Sequence, residues 1–234
     1  MPPETPASDF ELKFVVESRL AMLLASRLAT LFAADPRHPR NTVASLYLDD
    51  RAWTSLARTR DGALAKRKVR LRWYESVPGR PLEDFAVLEV KHRFGLRRRK
   101  ERLVTAPLAS RLATLAGLLP ARSELACDEL WRALSPDFDG MTLEPALVVR
   151  YDRRRFVDPA SGSRLSLDSG IHAAAIRSGH PAGRLGRAAR VAVVEVKNRD
   201  GRLPVLLAAA LGPSVRQVSF SKYERCLRAA TGQL

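Results

Sequence analysis

Lys68, Arg70, Arg72 and Tyr74 occupy every second position of Lys66-Arg67-Lys68-Val69-Arg70-Leu71-Arg72-Trp73-Tyr74, and Val69, Leu71 and Trp73 fill the places between them. Side chains on a strand alternate faces, so one face of this stretch is a comb of cations and the other is apolar. A strand face that only meets water has no reason to be so uniformly positive. The chemistry of such a comb is the binding of anions that carry several charges.

The same alternation brings acids beside bases elsewhere. Glu89 and Lys91 share a face in Phe85-Ala86-Val87-Leu88-Glu89-Val90-Lys91-His92, with Leu88 and Val90 opposite. Glu195 and Lys197 repeat the pattern against Val194 and Val196, and Glu11 and Lys13 repeat it against Phe10, Leu12 and Phe14. Charges placed this way suit a sheet whose ionic face is enclosed, where an unpaired charge is costly. Glu11 and Glu89 then read as neutralising neighbouring bases.

The elements that must position these residues follow from the periods. Asp9 to Val16 reads as a first strand, and Leu20, Leu23, Leu24, Leu28, Leu31 and Phe32 give an amphipathic helix from about Ser18 to Ala33. Thr42 to Asp49 alternates again, with Ser45, Tyr47 and Asp49 on one side. A helical turn at Trp53 to Arg58 and the Asp61-Gly62 turn lead into the cationic strand. The Glu89/Lys91 strand continues into a basic ribbon, Arg93 to Lys100 and then Arg102-Leu103-Val104. That ribbon reads either as a charged edge kept from aggregating or as a contact for nucleic acid. Leu/Ala-rich helical pattern fills Pro107 to Leu134. Extended structure resumes over Ala146 to Phe156, with Tyr151, Arg153 and Arg155 on one face, and over Arg164 to Asp168. Residues 178 to 186 read as a loop before the Glu195/Lys197 strand, and helices begin near Leu203-Pro204 and after Ser219-Phe220-Ser221-Lys222-Tyr223. His92 falls on the apolar side of its strand and reads as structural.

Composition sets the frame. The chain has 234 residues, 46% of them hydrophobic and 28% charged, a soluble globular balance. Residues 1–8 read as a disordered Pro-rich start and 9–234 as one domain. Forty Lys and Arg against 25 Asp and Glu give a net charge of +15, a field that favours nucleic acid, an anionic membrane or phosphate chains. Cys127 and Cys226 have neither disulfide-framework nor metal-ligand spacing and read as reduced thiols. Neither a signal peptide nor a long apolar run is seen, so a cytoplasmic chain with no membrane span is expected. Aromatic residues make up 6% and are not interleaved with the basic ribbon, which argues against a stacking-based single-strand binder, and no specific nucleic acid is expected. No glycine-rich phosphate loop is present, so side chains must hold any bound phosphate.

About eight strands, mostly antiparallel by their short turns, each carry a polar and an aliphatic face. Closing them into a barrel puts the polar face inside and leaves the aliphatic outside for the helices to cover. A flat sheet with helices on one side is the alternative, and it leaves the comb exposed. The predicted fold is therefore α+β: an eight-stranded antiparallel β-barrel tunnel with a basic interior, covered by α-helices.

Glu11-x-Lys13, Ser45-x-Tyr47-x-Asp49, Lys68-x-Arg70-x-Arg72-x-Tyr74, Glu89-x-Lys91, Tyr151-x-Arg153, Arg164 to Asp168, Glu195-x-Lys197 and Ser221-Lys222-Tyr223, in this order, resemble the VTC domain of the triphosphate tunnel metalloenzyme superfamily. The resemblance covers nearly the whole chain. It implies a basic tunnel that grips ATP, triphosphate or polyphosphate, with a divalent metal, Mn2+ or Mg2+, held by acidic residues. It implies phosphoryl transfer of the polyphosphate polymerase kind; hydrolysis of a triphosphate, or binding without turnover, are the alternatives.

On this resemblance Arg70, Arg72, Arg153 and Lys222 are the expected catalytic residues. Lys13, Lys68, Lys91, Arg164, Lys197, Tyr74, Tyr151 and Ser221 join them in binding phosphate. Glu195 is the first choice as metal ligand, with Glu11, Glu89 and Asp168 as further candidates. The arginine fork matches phosphate oxygens, and phosphoryl transfer needs charge neutralisation more than a covalent catalyst.

Overall fold

The computed structural model of the chain describes residues 10–77, 80–83, 85–95, 97–105, 143–176, 186–187, 190–213 and 215–230. Eight strands of eight or more residues carry the fold among them: β1 (Phe10–Glu17), β2 (Arg40–Asp49), β3 (Ala65–Val77), β4 (Ala86–Phe94), β5 (Arg97–Thr105), β6 (Glu144–Val157), β7 (Arg164–Ala175) and β8 (Val191–Asn198). The helices described are α1 (Ala21–Leu31), α2 (Thr54–Arg60), α3 (Val205–Leu211) and α4 (Lys222–Ala230). The fold is α+β with antiparallel strands, as the alternation predicts. Among the described residues no helix is long and apolar enough to cross a membrane. The chain divides into two compact units, one within residues 1–41, 151–171 and 189–220, the other within 42–150, 172–188 and 221–234.

In the first unit β1 pairs with β8 from Phe10 opposite Asn198 to Glu17 opposite Val191, and β8 pairs with β7. One face of these strands is apolar: Leu12, Phe14, Val16, Leu165, Leu167, Val194 and Val196 are buried. Helix α1 lays Ala21, Leu24, Ala25 and Leu28 on that face, and α3 adds Leu207 and Ala210. The three- and four-residue spacing of these positions is what makes them one stripe. Burying a leucine such as Leu28 contributes roughly 1.5–3 kcal/mol. The helix stops where Phe32 turns extended, its N–H still bonded to the Leu28 carbonyl.

In the second unit the order is β2-β3-β4-β5. Leu46, Leu71 and Leu88 stand opposite one another across three strands, and Leu48, Val69, Trp73 and Val90 complete the buried apolar face. Beneath Trp73 lies a buried acid that the sequence pattern did not reveal: the Trp73 Nε1–H donates to Glu75 at 2.8 Å, and Arg150 lies 3.0 Å from the same carboxylate. Asp49 at the end of β2 starts α2, accepting the Ser55 N–H on Oδ1 and the Leu56 N–H on Oδ2. Trp53, just before α2, takes a left-handed φ of 58°.

Some elements differ from expectation in extent. Ser18–Leu20 is a 3-10 turn rather than the start of α1, and β7 runs on to Ala175, well past Asp168. Cys226 is buried, and burial pushes its thiol up to about 12, so it stays protonated. The predicted disorder of residues 1–8, the helices of 107–134, Cys127 and most of the 178–186 loop lie outside the described residues.

Candidate functional site

Two polar faces carry the charged residues, one in each unit. In the second unit the register sets Tyr47, Arg70, Glu89 and Arg102 directly opposite one another on β2, β3, β4 and β5. The neighbouring row is Lys68, Lys91 and Lys100, and Ser45 stands opposite Arg72.

Glu89 is the hub of this face and is only 3% exposed. Its Oε2 accepts the Arg70 Nε–H at 2.6 Å and lies 2.5 Å from Arg70 Nη2 and 3.5 Å from Arg72 Nη1. Its Oε1 pairs with the Lys100 ammonium and lies 3.5 Å from Arg102 Nε. Burial works against the charge on Glu89, but Arg70, Arg72 and Lys100 outweigh it and hold the carboxyl well below its ordinary value. Lys100 responds the other way: burial lowers it to about 8, against the pull of Glu89 and with the help of Arg102 and Arg70.

The aromatic and hydroxyl groups brace the cations. Arg70 donates from Nη1 to the Tyr47 hydroxyl at 3.2 Å, and its guanidinium carbon is 5.8 Å from the Tyr47 ring centre. The Tyr47 ring stacks on Tyr223 of α4 at 5.1 Å, and the Tyr223 hydroxyl donates to Asp49 at 2.6 Å. Arg72 donates to Ser45 Oγ at 3.3 Å, and Lys68 donates to Ser221 Oγ at 2.8 Å. Tyr74 stands opposite Val43, two residues along the strand from Arg72, and Lys222 opens α4.

In the first unit β1 and β8 form a four-charge checkerboard. Glu11 stands opposite Lys197 and Lys13 opposite Glu195. Each lysine also bridges to the acid of its own strand, Lys13 to Glu11 at 2.8 Å and Lys197 to Glu195 at 2.9 Å. Lys13 donates as well to the Phe220 carbonyl at 3.2 Å. On β7, Ser166 faces Glu195 and Arg164 faces Lys197. Arg153 of β6 grips Asp168 with two hydrogen bonds, Nε to Oδ1 at 2.6 Å and Nη2 to Oδ2 at 2.7 Å, and lies 5.4 Å from the Tyr151 ring centre. Burial disfavours its charge, but Asp168 and Tyr151 outweigh that and raise Arg153 well above its usual value.

The structure thus brings Arg70, Arg72 and Glu89 together, and Lys68 with Ser221. In the other unit it gathers Glu11, Lys13, Glu195 and Lys197, and joins Arg153 to Asp168 and Tyr151. Lys100 and Arg102 were not among the predicted site residues, yet both reach Glu89. Their common parity in the basic ribbon was the signal that could have found them.

The profile described as the VTC domain matches residues 8–231. The chain belongs to the VTC domain family. This VTC domain is similar in structure to a putative adenylate cyclase from Bacillus halodurans, at 14% identity and a TM-score of 0.53, over 92% of this chain and 94% of that one. It is similar also to a putative adenylyl cyclase from Hippeastrum, described as having a dominant triphosphatase activity, at 15% identity and a TM-score of 0.50, over 94% and 95% of the two chains. At such identities the likeness shows that the VTC domain shares their fold. No curated protein matches the chain.

Proposed function

We propose that this VTC domain binds a triphosphate or polyphosphate, ATP or inorganic polyphosphate, and transfers a phosphoryl group in a metal-dependent, polyphosphate polymerase-like reaction. The observation that carries this reading is the pair Arg70 and Arg72, two buried guanidinium groups on neighbouring same-face positions, held in place by Glu89, Tyr47 and Ser45. Pre-positioned guanidinium groups neutralise charge that develops on phosphoryl oxygens without reorganising at the moment of reaction.

In this reading Lys68, Lys91, Ser221 and Lys222 bind phosphate oxygens in the second unit, and Lys13, Arg153, Arg164 and Lys197 bind them in the first. Tyr151, beside the Arg153 guanidinium, and Tyr74 join them in binding phosphate. Arg70, Arg72, Arg153 and Lys222 are the groups closest to the chemistry.

A divalent metal, Mg2+ or Mn2+, fits the donors of the first unit. Glu11 and Glu195 are diagonal neighbours on paired strands and supply hard carboxylate oxygens. Magnesium characteristically takes one or two carboxylates and completes its shell with water and substrate phosphates. Glu195, with Glu11, would hold it, and bound there it would neutralise phosphate charge. Asp168 and Glu89 fit less well, since Arg153 engages both oxygens of the former and four cations surround the latter. Among the described residues no three His, Cys, Asp or Glu converge on one point.

Hydrolysis is the second reading, prompted by the triphosphatase activity ascribed to the Hippeastrum protein of the same fold. Incubation of the purified chain with labelled ATP and Mn2+ or Mg2+ separates the readings. Labelled polyphosphate supports transfer, free phosphate or pyrophosphate alone supports hydrolysis, and tight binding with no product in either metal leaves a binding module.

A further inference from the structure

We propose that the outward faces of α1 and α3 in the first unit form a docking surface for an anionic lipid bilayer, with apolar side chains entering the bilayer interface and flanking arginines meeting lipid phosphates. The inference goes beyond the phosphate reading and uses none of its residues.

Helix α3 reads Val-Leu-Leu-Ala-Ala-Ala-Leu, without one polar side chain. A helix that is apolar all round belongs in a buried setting, yet only Leu207 and Ala210 are buried, while Val205 is 82% exposed and Leu206 half exposed. The adjoining α1 buries Leu24, Ala25 and Leu28 but turns Met22, 67% exposed, and Leu23 outward. Large apolar side chains gathered on one exposed face mark an interaction site. An apolar cleft of about 420 Å³ adjoins them, lined by Leu203, Leu211, Pro213 and Val215 and by the small Ala208 and Ala209.

Charge decides what covers this face. Neither helix carries an acid, and exposed arginines flank the apolar residues: Arg27 on α1, Arg202 before α3 and Arg216 after it. Arg216 donates from Nη1 to the Pro213 carbonyl, which sets its guanidinium at the cleft. Asp200, the acid of the loop before α3, is engaged by the Arg202 N–H. A symmetric contact with a second copy would bring the same arginine-flanked face to both sides, cation against cation. A protein partner also needs hydrogen bonds across its interface, about one per 100–200 Å². The outward hydroxyls of α1 are spent on their own helix, Ser26 on the Met22 carbonyl at 3.2 Å and Thr30 on the Arg27 carbonyl at 2.8 Å. Apolar groups with satisfied hydroxyls and a basic rim suit a bilayer interface rich in anionic lipid, to which each nearby arginine adds attraction.

The test is co-sedimentation of the full chain with vesicles of phosphatidylcholine alone and of phosphatidylcholine mixed with phosphatidylglycerol. Any chain of net charge +15 is drawn to an anionic surface, so the deciding variant is Val205→Gln/Leu206→Gln, which changes no charge. Wild type is expected to bind the mixed vesicles, and the double variant to bind them roughly tenfold more weakly. Arg216→Gln is expected to weaken binding a few-fold, and tripolyphosphate affinity is expected to be the same in all three proteins. Vesicle binding by the double variant within twofold of wild type overturns the proposal, as does a wild type that binds no mixed vesicles. A wild type that is dimeric by light scattering and ignores vesicles, with a monomeric double variant, assigns the face to a second copy and overturns it too. Should the double variant not fold by circular dichroism, Met22→Gln is judged by the same twofold criterion.

Discussion

Arg153 and Asp168 form a bidentate pair, two parallel hydrogen bonds of 2.6 and 2.7 Å onto a carboxylate with no exposed surface. The fork geometry fixes the guanidinium plane as well as its place. Removing the acid strands a buried cation, so Asp168→Ala is expected to cost about 3–5 kcal/mol of stability. Urea unfolding monitored by circular dichroism measures it, and a cost below 1 kcal/mol contradicts the pair's structural weight.

Glu89 makes stability depend on acid. Its folded pKa lies well below the ordinary 4.5, so its contribution is present above pH 4.5 and is lost as pH falls through the folded value. Glu89→Gln removes that dependence. The stability of wild type and variant is expected to converge as pH is lowered below 4.5, and a constant gap from pH 6 to the acid limit contradicts the assignment.

Much of this was legible in the sequence. Alternation in Lys68-x-Arg70-x-Arg72 and Glu89-x-Lys91 is a local property, and it named the face of β3 and β4 correctly without knowledge of the partners. What alternation cannot supply is register. Whether Lys100 or Arg99 meets Glu89 depends on the turn at Gly95, which takes φ 57°, and a slip of one residue sends every side chain to the other face. The pairing of Arg153 with Asp168 was hidden for the same reason, since the turn at 158–163 sets the stagger of β6 against β7. Glu75 escaped because an acid at the parity of Trp73 contradicts the apolar pattern, and its partner Arg150 is distant in sequence.

Glu75 yields a control away from the phosphate-binding residues. It is fully buried between Trp73 and Arg150, so Glu75→Ala is expected to lose about 3–5 kcal/mol. The double variant with Arg150→Met is expected to recover part of that loss. No recovery in thermal unfolding contradicts the reading of Glu75 and Arg150 as mutual partners.

Glu195→Gln separates metal from fold. It keeps size and hydrogen-bonding capacity but deletes the charge that would hold Mg2+ or Mn2+. Metal-dependent turnover is expected to vanish while tripolyphosphate binding without metal stays within a few-fold of wild type. Full turnover in the variant removes Glu195 as metal ligand.

The most direct measurement is calorimetric titration of tripolyphosphate, without metal, into wild type, Arg72→Ala and Lys13→Gln. Arg72 belongs to the second unit and Lys13 to the first. Phosphate binding by these basic faces predicts saturable binding that weakens as salt rises. It also predicts a loss of roughly 1.5–3 kcal/mol for Arg72→Ala and a weaker but clear loss for Lys13→Gln. Unchanged affinity in both variants, or no binding by wild type at low salt, contradicts the account.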